Sequence, residues 1–253
     1  MKKVLILNYH NITQNTSGDS LYSITPSTFK LHLNLIQDLK IPVVGMESLA
    51  QNSLSENYSV VLSFDDGYKS ALTEVIPLLE TYNYPAIFFP ITGYIGKHDR
   101  LTREDLKSIS NKGFEIGSHG ISHTILAGLP LSDLEKELKV SKTVIEEHIT
   151  MPVKHFALPY GIYNEKLIAL AKELGYRSVL ATGLKSNNIN ESSFLLYRWN
   201  ITSGLSVETI RHILQTNGNL PFKIRLTFPI KRIVKTLLGP KLTETLTRKY
   251  NNG

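Results

Sequence analysis

The 253-residue sequence predicts an α/β fold with parallel strands closed into a (β/α)7-type barrel. Three observations carry that expectation. Short apolar, β-rich runs alternate with segments of helical period. About seven such strand–helix units follow one another, without an internal repeat. The residues able to carry chemistry stand at the C-terminal ends of the expected strands, where barrel enzymes assemble their sites. Periodicity favours a barrel without by itself deciding against an open doubly wound sheet.

The elements follow in order. Val4–Leu7 is a short apolar strand. Thr25-Pro26 opens a helix, with Pro in the first turn and Leu31, Leu35 and Leu39 expected on one stripe. Val60–Phe64 reads as a buried strand, followed by a helix over residues 70–82 and a strand at Ala86–Phe89. Thr102-Arg103-Glu104-Asp105 resembles a capping box, opening a helix that ends near Gly113. After a strand at Phe114–Gly117, Ser132-Asp133-Leu134-Glu135 is expected to cap a longer helix through His148. A strand at His155–Leu158, a helix from Asn164 to Leu174 closed by Gly175, and a strand at Ser178–Ala181 come next. A strand at Leu196–Ile201 and a helix after Ser206 complete the series.

The formal charge of +6 and pI near 9.3 suggest nucleic acid or a membrane surface, but the excess is uneven. Residues 220–253 carry eight basic residues and one acidic residue, a net +7, whereas residues 1–219 carry −1. We therefore expect a barrel body over residues 1–219 and a basic tail over 220–253. The sequence has no cysteine, so disulfides, thiolate metal sites and a cysteine nucleophile are excluded. The apolar run after Met1-Lys2-Lys3 is too short for a signal peptide, and no stretch approaches a spanning helix. The expected location is cytoplasmic.

Two adjacent carboxylates, Asp65 and Asp66, end the Val60–Phe64 strand ahead of Gly67. Such neighbours are costly unless a cation or proton holds them. Either they form a solvated Asp-Asp-Gly turn, or one binds a metal and leaves the other as a base. His119 and His123, at i and i+4 after the Phe114–Gly117 strand, can converge on a divalent ion. With Asp66 they make a set of two imidazoles and a carboxylate, suited to zinc and other first-row ions with open positions for water and substrate. Pro159-Tyr160-Gly161 breaks the next strand, as an ordinary turn or as a groove wall whose backbone N–H faces a reacting oxygen.

Taken in order, Asp65-Asp66-Gly67, His119 with His123, and Pro159-Tyr160-Gly161 resemble the first three motifs of the polysaccharide deacetylases, carbohydrate esterase family 4 or the NodB-homology domain. The likeness spans roughly Val60 to Ile201. It implies a distorted (β/α)7-type barrel, with Asp65 as general base and Asp66, His119 and His123 as metal ligands. Zinc is the first expectation for that metal, with cobalt, nickel or manganese as alternatives. Leu5-Ile6-Leu7-Asn8-Tyr9-His10 is similar to the opening of the circularly permuted branch acting on poly-N-acetylglucosamine. That likeness makes His10 the candidate general acid; the plainer reading is a loop histidine. Many members carry Arg where Ala157 stands here. Arg198 can supply a cation from another direction, unless it forms a simple surface pair.

The implied activity is metal-dependent removal of an N-acyl group, acetyl first, from an amino sugar in a polysaccharide or lipid-linked glycan. The alternatives are a deacylase of a small non-sugar amide and a non-catalytic carbohydrate-binding relative. In the tail, Ile230, Ile233, Val234, Leu237 and Leu238 fall on one helical stripe, with Lys231, Arg232 and Lys235 elsewhere. That helix either packs on the barrel or lies on an anionic membrane at its inner face. Nucleic acid is not an expected partner, because the basic residues share their segment with an apolar stripe.

Overall fold

The computed structural model describes residues 2–14, 21–50, 54, 56–149, 151–190 and 193–218. The expected tail, with Lys231, Arg232 and Lys235, lies outside the described residues.

The chain opens with strand β1 (Lys2–Tyr9) and the short parallel pair β2 (Asn11–Ile12) and β3 (Ser23–Ile24). Helix α1 (Pro26–Asp38) starts where Thr25 caps the amide of Thr28. Its buried face is Phe29, His32, Leu33, Leu35 and Ile36, while Leu31 is 48% exposed. The stripe expected at Leu31, Leu35 and Leu39 is therefore displaced, because Phe29, Leu33 and Ile36 make a more complete i, i+4, i+7 set. Helix α2 (Met46–Ala50) leads to β4 (Tyr58–Asp66).

The next helix begins as a π-helical turn over Ala71–Val75 and continues as α3 (Ile76–Tyr82). Ile76 N–H reaches back to Ala71 O, and Pro77 has no N–H to continue a regular ladder there. Strand β5 (Ile87–Pro90), helix α4 (Arg103–Asn111) and strand β6 (Glu115–Ile116) follow. Helix α4 carries the expected reciprocal capping box between Thr102 and Asp105. Helix α5 (Leu131–Glu146) starts earlier than expected, after Pro130, and has no side-chain cap. Ser132 lies inside the first turn, since Pro130 already sets the entry and stands just outside the helix. The rest comprises β7 (His155–Ala157), α6 (Glu165–Glu173), β8 (Ser178–Thr182), β9 (Asn187–Ile189), β10 (Leu195–Asn200) and α7 (Val207–Gln215).

Seven parallel strands stand in the order β6-β5-β4-β1-β10-β8-β7. Strand β9, which the alternation of apolar runs did not reveal, pairs antiparallel with the start of β1. The edges meet through a single bridge between Ser118 and Phe156. There Ser118 N–H donates to His155 O at 3.0 Å, and Ala157 N–H to Ser118 O at 2.8 Å. The sheet is thus a nearly closed, distorted (β/α)7 barrel.

Alternation along the strands sorts the barrel interior into two layers. Val4 and Ile6 of β1, Val61 of β4, Ile87 and Phe89 of β5, Leu180 of β8 and Leu196 of β10 form one buried apolar cluster. Each contributes about 1.5–3 kcal/mol by burial. Two residues further along β1, β4 and β10 the same face carries Asn8, Ser63 with Asp65, and Arg198, all buried. A polar layer therefore sits on the apolar one, at the C-terminal mouth of the barrel.

Candidate active site

Asp65 and Arg198 face each other across the mouth, 4% and 1% exposed. Arg198 Nη1 donates to Asp65 Oδ1 at 2.7 Å and Nη2 to Oδ2 at 2.8 Å, a bidentate pair. Asn8 Nδ2 donates to Asp65 Oδ2 at 2.9 Å. Asn8 is itself held by Ser63 Oγ and Arg198 Nη1, each donating to Asn8 Oδ1 at 3.0 Å. Burial alone would raise the Asp65 pKa, but Arg198, then His119 and His10, outweigh it and hold the carboxyl well below the usual range. Arg198 thus contacts Asp65 directly and is no surface pair. Ala157 instead fills the apolar core.

Asp66 lies one residue beyond the inward-facing Asp65 and adopts φ 71°. His123 and Tyr160 also have positive φ, 57° and 59°. Left-handed backbone costs such residues about 1–3 kcal/mol each, and it clusters where a site dictates the geometry. Asp66, His119 and His123 each present one donor atom, all within 4.8 Å of one another. Asp66 Oδ1 lies 3.5 Å from Nε2 of both histidines.

Several observations fit this trio to a divalent ion. Asp66 Oδ1 is buried without a hydrogen-bond partner. His119 Nδ1 is 2.8 Å from Ala157 O, so it carries the proton and leaves the Nε2 lone pair facing the cluster. Burial, with His119 next, pushes His123 down to about 4, so its imidazole is neutral across the neutral range. Two imidazole nitrogens and one carboxylate oxygen suit zinc or another first-row divalent ion.

The histidine loop is secured by Glu137 of α5, which its sequence context did not single out. Glu137 Oε2 accepts from the N–H of Ile121 at 2.6 Å and of Ser122 at 3.3 Å, and Oε1 accepts from Ser122 Oγ at 2.6 Å. Asn8 was missed as well, although a polar residue ending an apolar run toward His10 was a signal that could have found it.

His10 follows β1 and packs against Tyr22, ring centroids 4.4 Å apart and planes tilted by 35°. Its Nδ1 is buried without a hydrogen-bond partner. Burial lowers its pKa, while Asp66 and Asp65 pull it upward. Pro159, Tyr160 and Gly161 form a tight turn, with the Tyr160 ring 5.0 Å from that of His123. Gly161 has φ 73°, and a Cβ there would stand 2.5 Å from Thr182 N, so this turn is pressed against the end of β8. The structure therefore brings Asp65, Asp66, His119, His123 and Arg198 together, with Tyr160 beside them and His10 within electrostatic reach.

A family model described as polysaccharide deacetylase matches residues 54–179. YxkH of Bacillus subtilis (strain 168), which bears the name of the same family, is 28% identical over 208 residues, covering 81% of this chain and 73% of its own length. Poly-beta-1,6-N-acetyl-D-glucosamine N-deacetylase of Staphylococcus aureus is 21% identical over 223 residues, with 77% of each chain covered. The fold is shared with the Streptococcus pyogenes deacetylase PplD in complex with acetate, at a TM-score of 0.75 and 24% identity, covering 84% of this chain and 98% of that one. Among the described residues, no helix is long and apolar enough to cross a membrane.

Proposed function

This chain belongs to the polysaccharide deacetylase family, and from that premise we propose that it removes the N-acetyl group of an amino sugar in a polysaccharide or lipid-linked glycan. The reading rests above all on one juxtaposition: an ionised, buried Asp65 beside three converging donors, Asp66, His119 and His123. Those three would hold a divalent ion, zinc first. When bound, the ion would polarise the amide carbonyl and acidify water.

Asp65 takes the proton released as water adds to the carbonyl carbon. Its fixed place, set by donors from Arg198 and Asn8 to both oxygens, keeps the carboxylate ionised. A low-pKa carboxylate is a weak base, so the arrangement suits water already acidified. The backbone N–H of Tyr160 would be the donor to the developing oxyanion. His10 delivers a proton to the nitrogen as the C–N bond breaks. The products are a free amine and acetate, and the proton taken by Asp65 balances the one given by His10.

Acetate release from N-acetylglucosamine oligomers, measured with zinc, cobalt, nickel and manganese, tests this reading. Asp65→Asn should retain the ion and lose turnover by about 10²–10⁴-fold, the range for a positioned base. His119→Ala should lose both. Equal metal content in His119→Ala and the parent protein, or no acetate from any N-acetylated glycan, would overturn it.

A further inference from the structure

The aromatic wall beside the donors continues past them. Tyr160, 40% exposed, adjoins His123. Gly161 presses its turn against Thr182, and the next residue of that strand end, Gly183, lies against Tyr197. A Cβ on Gly183 would stand 2.7 Å from Tyr197 Cδ1, so only glycine permits this approach. Tyr197 alternates with Leu196 and Arg198, which face the barrel interior, and so points outward. Its hydroxyl meets that of Tyr163 at 2.9 Å, and Lys185 Nζ lies 3.7 Å from its ring centroid. Tyr163 is 38% exposed and has no ring partner among the described residues. Tyr160, Tyr163 and Tyr197 thus run from the metal donors over the end of β8 to the outer face. Folding alone does not account for the run, because a phenol ring left half in water forgoes much of its burial.

We propose that Tyr163, Tyr197 and Lys185 form a distal subsite for a second amino-sugar unit of the glycan, beyond the unit whose amide is cut. The proposal rests on the deacetylase reading above and specifies the substrate as a chain. A pyranose offers an apolar C–H face to a phenol ring and hydroxyls at its edge, and the paired tyrosine hydroxyls can donate to and accept from those hydroxyls. The Lys185 ammonium donates to a hydroxyl or to an acetamide carbonyl. It repels a unit that already carries a free ammonium. The subsite therefore selects a neighbour that is still acetylated.

Acetate release from N-acetylglucosamine and its oligomers of two to six units tests the subsite. The wild-type kcat/KM should rise about tenfold on going from one unit to two or more, the equivalent of one well-made contact. In Tyr163→Ala most of that rise should vanish through KM, with a much smaller loss on the monosaccharide. Tyr197→Phe, which keeps the ring, should lose part of it. Lys185→Gln should narrow the preference for fully acetylated over partly deacetylated chains. Thermal melting of each variant separates misfolding from lost contacts. An equal loss at every length in Tyr163→Ala, or an undiminished rise, would overturn the subsite while leaving the deacetylase reading intact. Absence of acetate from every oligomer with wild-type protein would instead overturn that reading, and the subsite with it.

Discussion

Replacing Arg198 with Met keeps most of the side-chain volume and removes the guanidinium that holds Asp65. Both partners are essentially buried, and their two contacts measure 2.7 and 2.8 Å. At a charge separation of roughly 4 Å and an effective dielectric constant near 20, the lost attraction is about 4 kcal/mol. Breaking one side of a buried pair costs about 3–5 kcal/mol. For a body of this size that lowers Tm by roughly 6–20 °C. Trp199, the chain's single tryptophan, is buried next to Arg198 on β10 and makes urea unfolding readable by fluorescence. Asp65→Asn alone should also destabilise, and the double variant should recover much of the loss, because neither charge is then left unpaired. The pH dependence gives a second signature. With Arg198 present, the Asp65 pKa is depressed. Its stabilisation is therefore present above about pH 4 and is lost only as pH falls through the depressed value. Without Arg198, burial raises that pKa, and the variant loses stability as pH rises through it. The gap between the two proteins should widen from acid to neutral pH. A cost below about 1 kcal/mol at neutral pH, or strict additivity in the double variant, would refute the account.

Glu137→Ala should weaken binding of zinc at the histidine loop, read by competition with a chelating dye, whereas Glu137→Gln should restore part of it, since an amide oxygen still accepts from the Ile121 N–H. Parent affinity retained in Glu137→Ala would show that the loop holds its shape without this anchor. His10→Ala should spare metal content and lower turnover by about 10²-fold or more, and full activity would remove His10 from the reaction. His32 and His155 are buried and pushed down to about 4, away from the donor trio, with desolvation as the main cause. Folded-state values below the unfolded one mean stability present above about pH 6.5 and lost as pH falls toward 4, by up to about 3 kcal/mol each. Urea midpoints should decline over that window, and a variant with Gln at both positions should decline less.

The alternation of strands and helices was readable because each barrel strand is buried and short, bounded by clear helix starts such as Thr25-Pro26 and Thr102. The donor trio was readable because its residues fall at strand ends in the order their motifs require. Other features depend on neighbours distant in sequence. Arg198 lies 133 residues from Asp65, and nothing in its own surroundings shows which carboxylate it meets. Asn8 and Glu137 act through contacts of the same kind, 57 residues from Asp65 and 16 from Ile121. Strand β9 has the composition Asn-Asn-Ile, poor in β-formers, and exists because the open edge of β1's first half accepts it. Leu31 shows the opposite failure, an apolar residue fitted to a stripe that its own helix turns to solvent.

The position of β1 between β4 and β10 also has a temporal consequence. Asn8 and Arg198, which touch at the barrel mouth, are separated by 190 residues. At about 5–20 residues per second a ribosome needs roughly 10–40 s to deliver the second after the first. During that interval β1 has one parallel flank without its partner, and Asp65 has no guanidinium. Catalytic competence is then among the last properties the nascent chain acquires. A chaperone that shields the bare β1 edge would matter more to the yield of active protein than to the survival of its early helices.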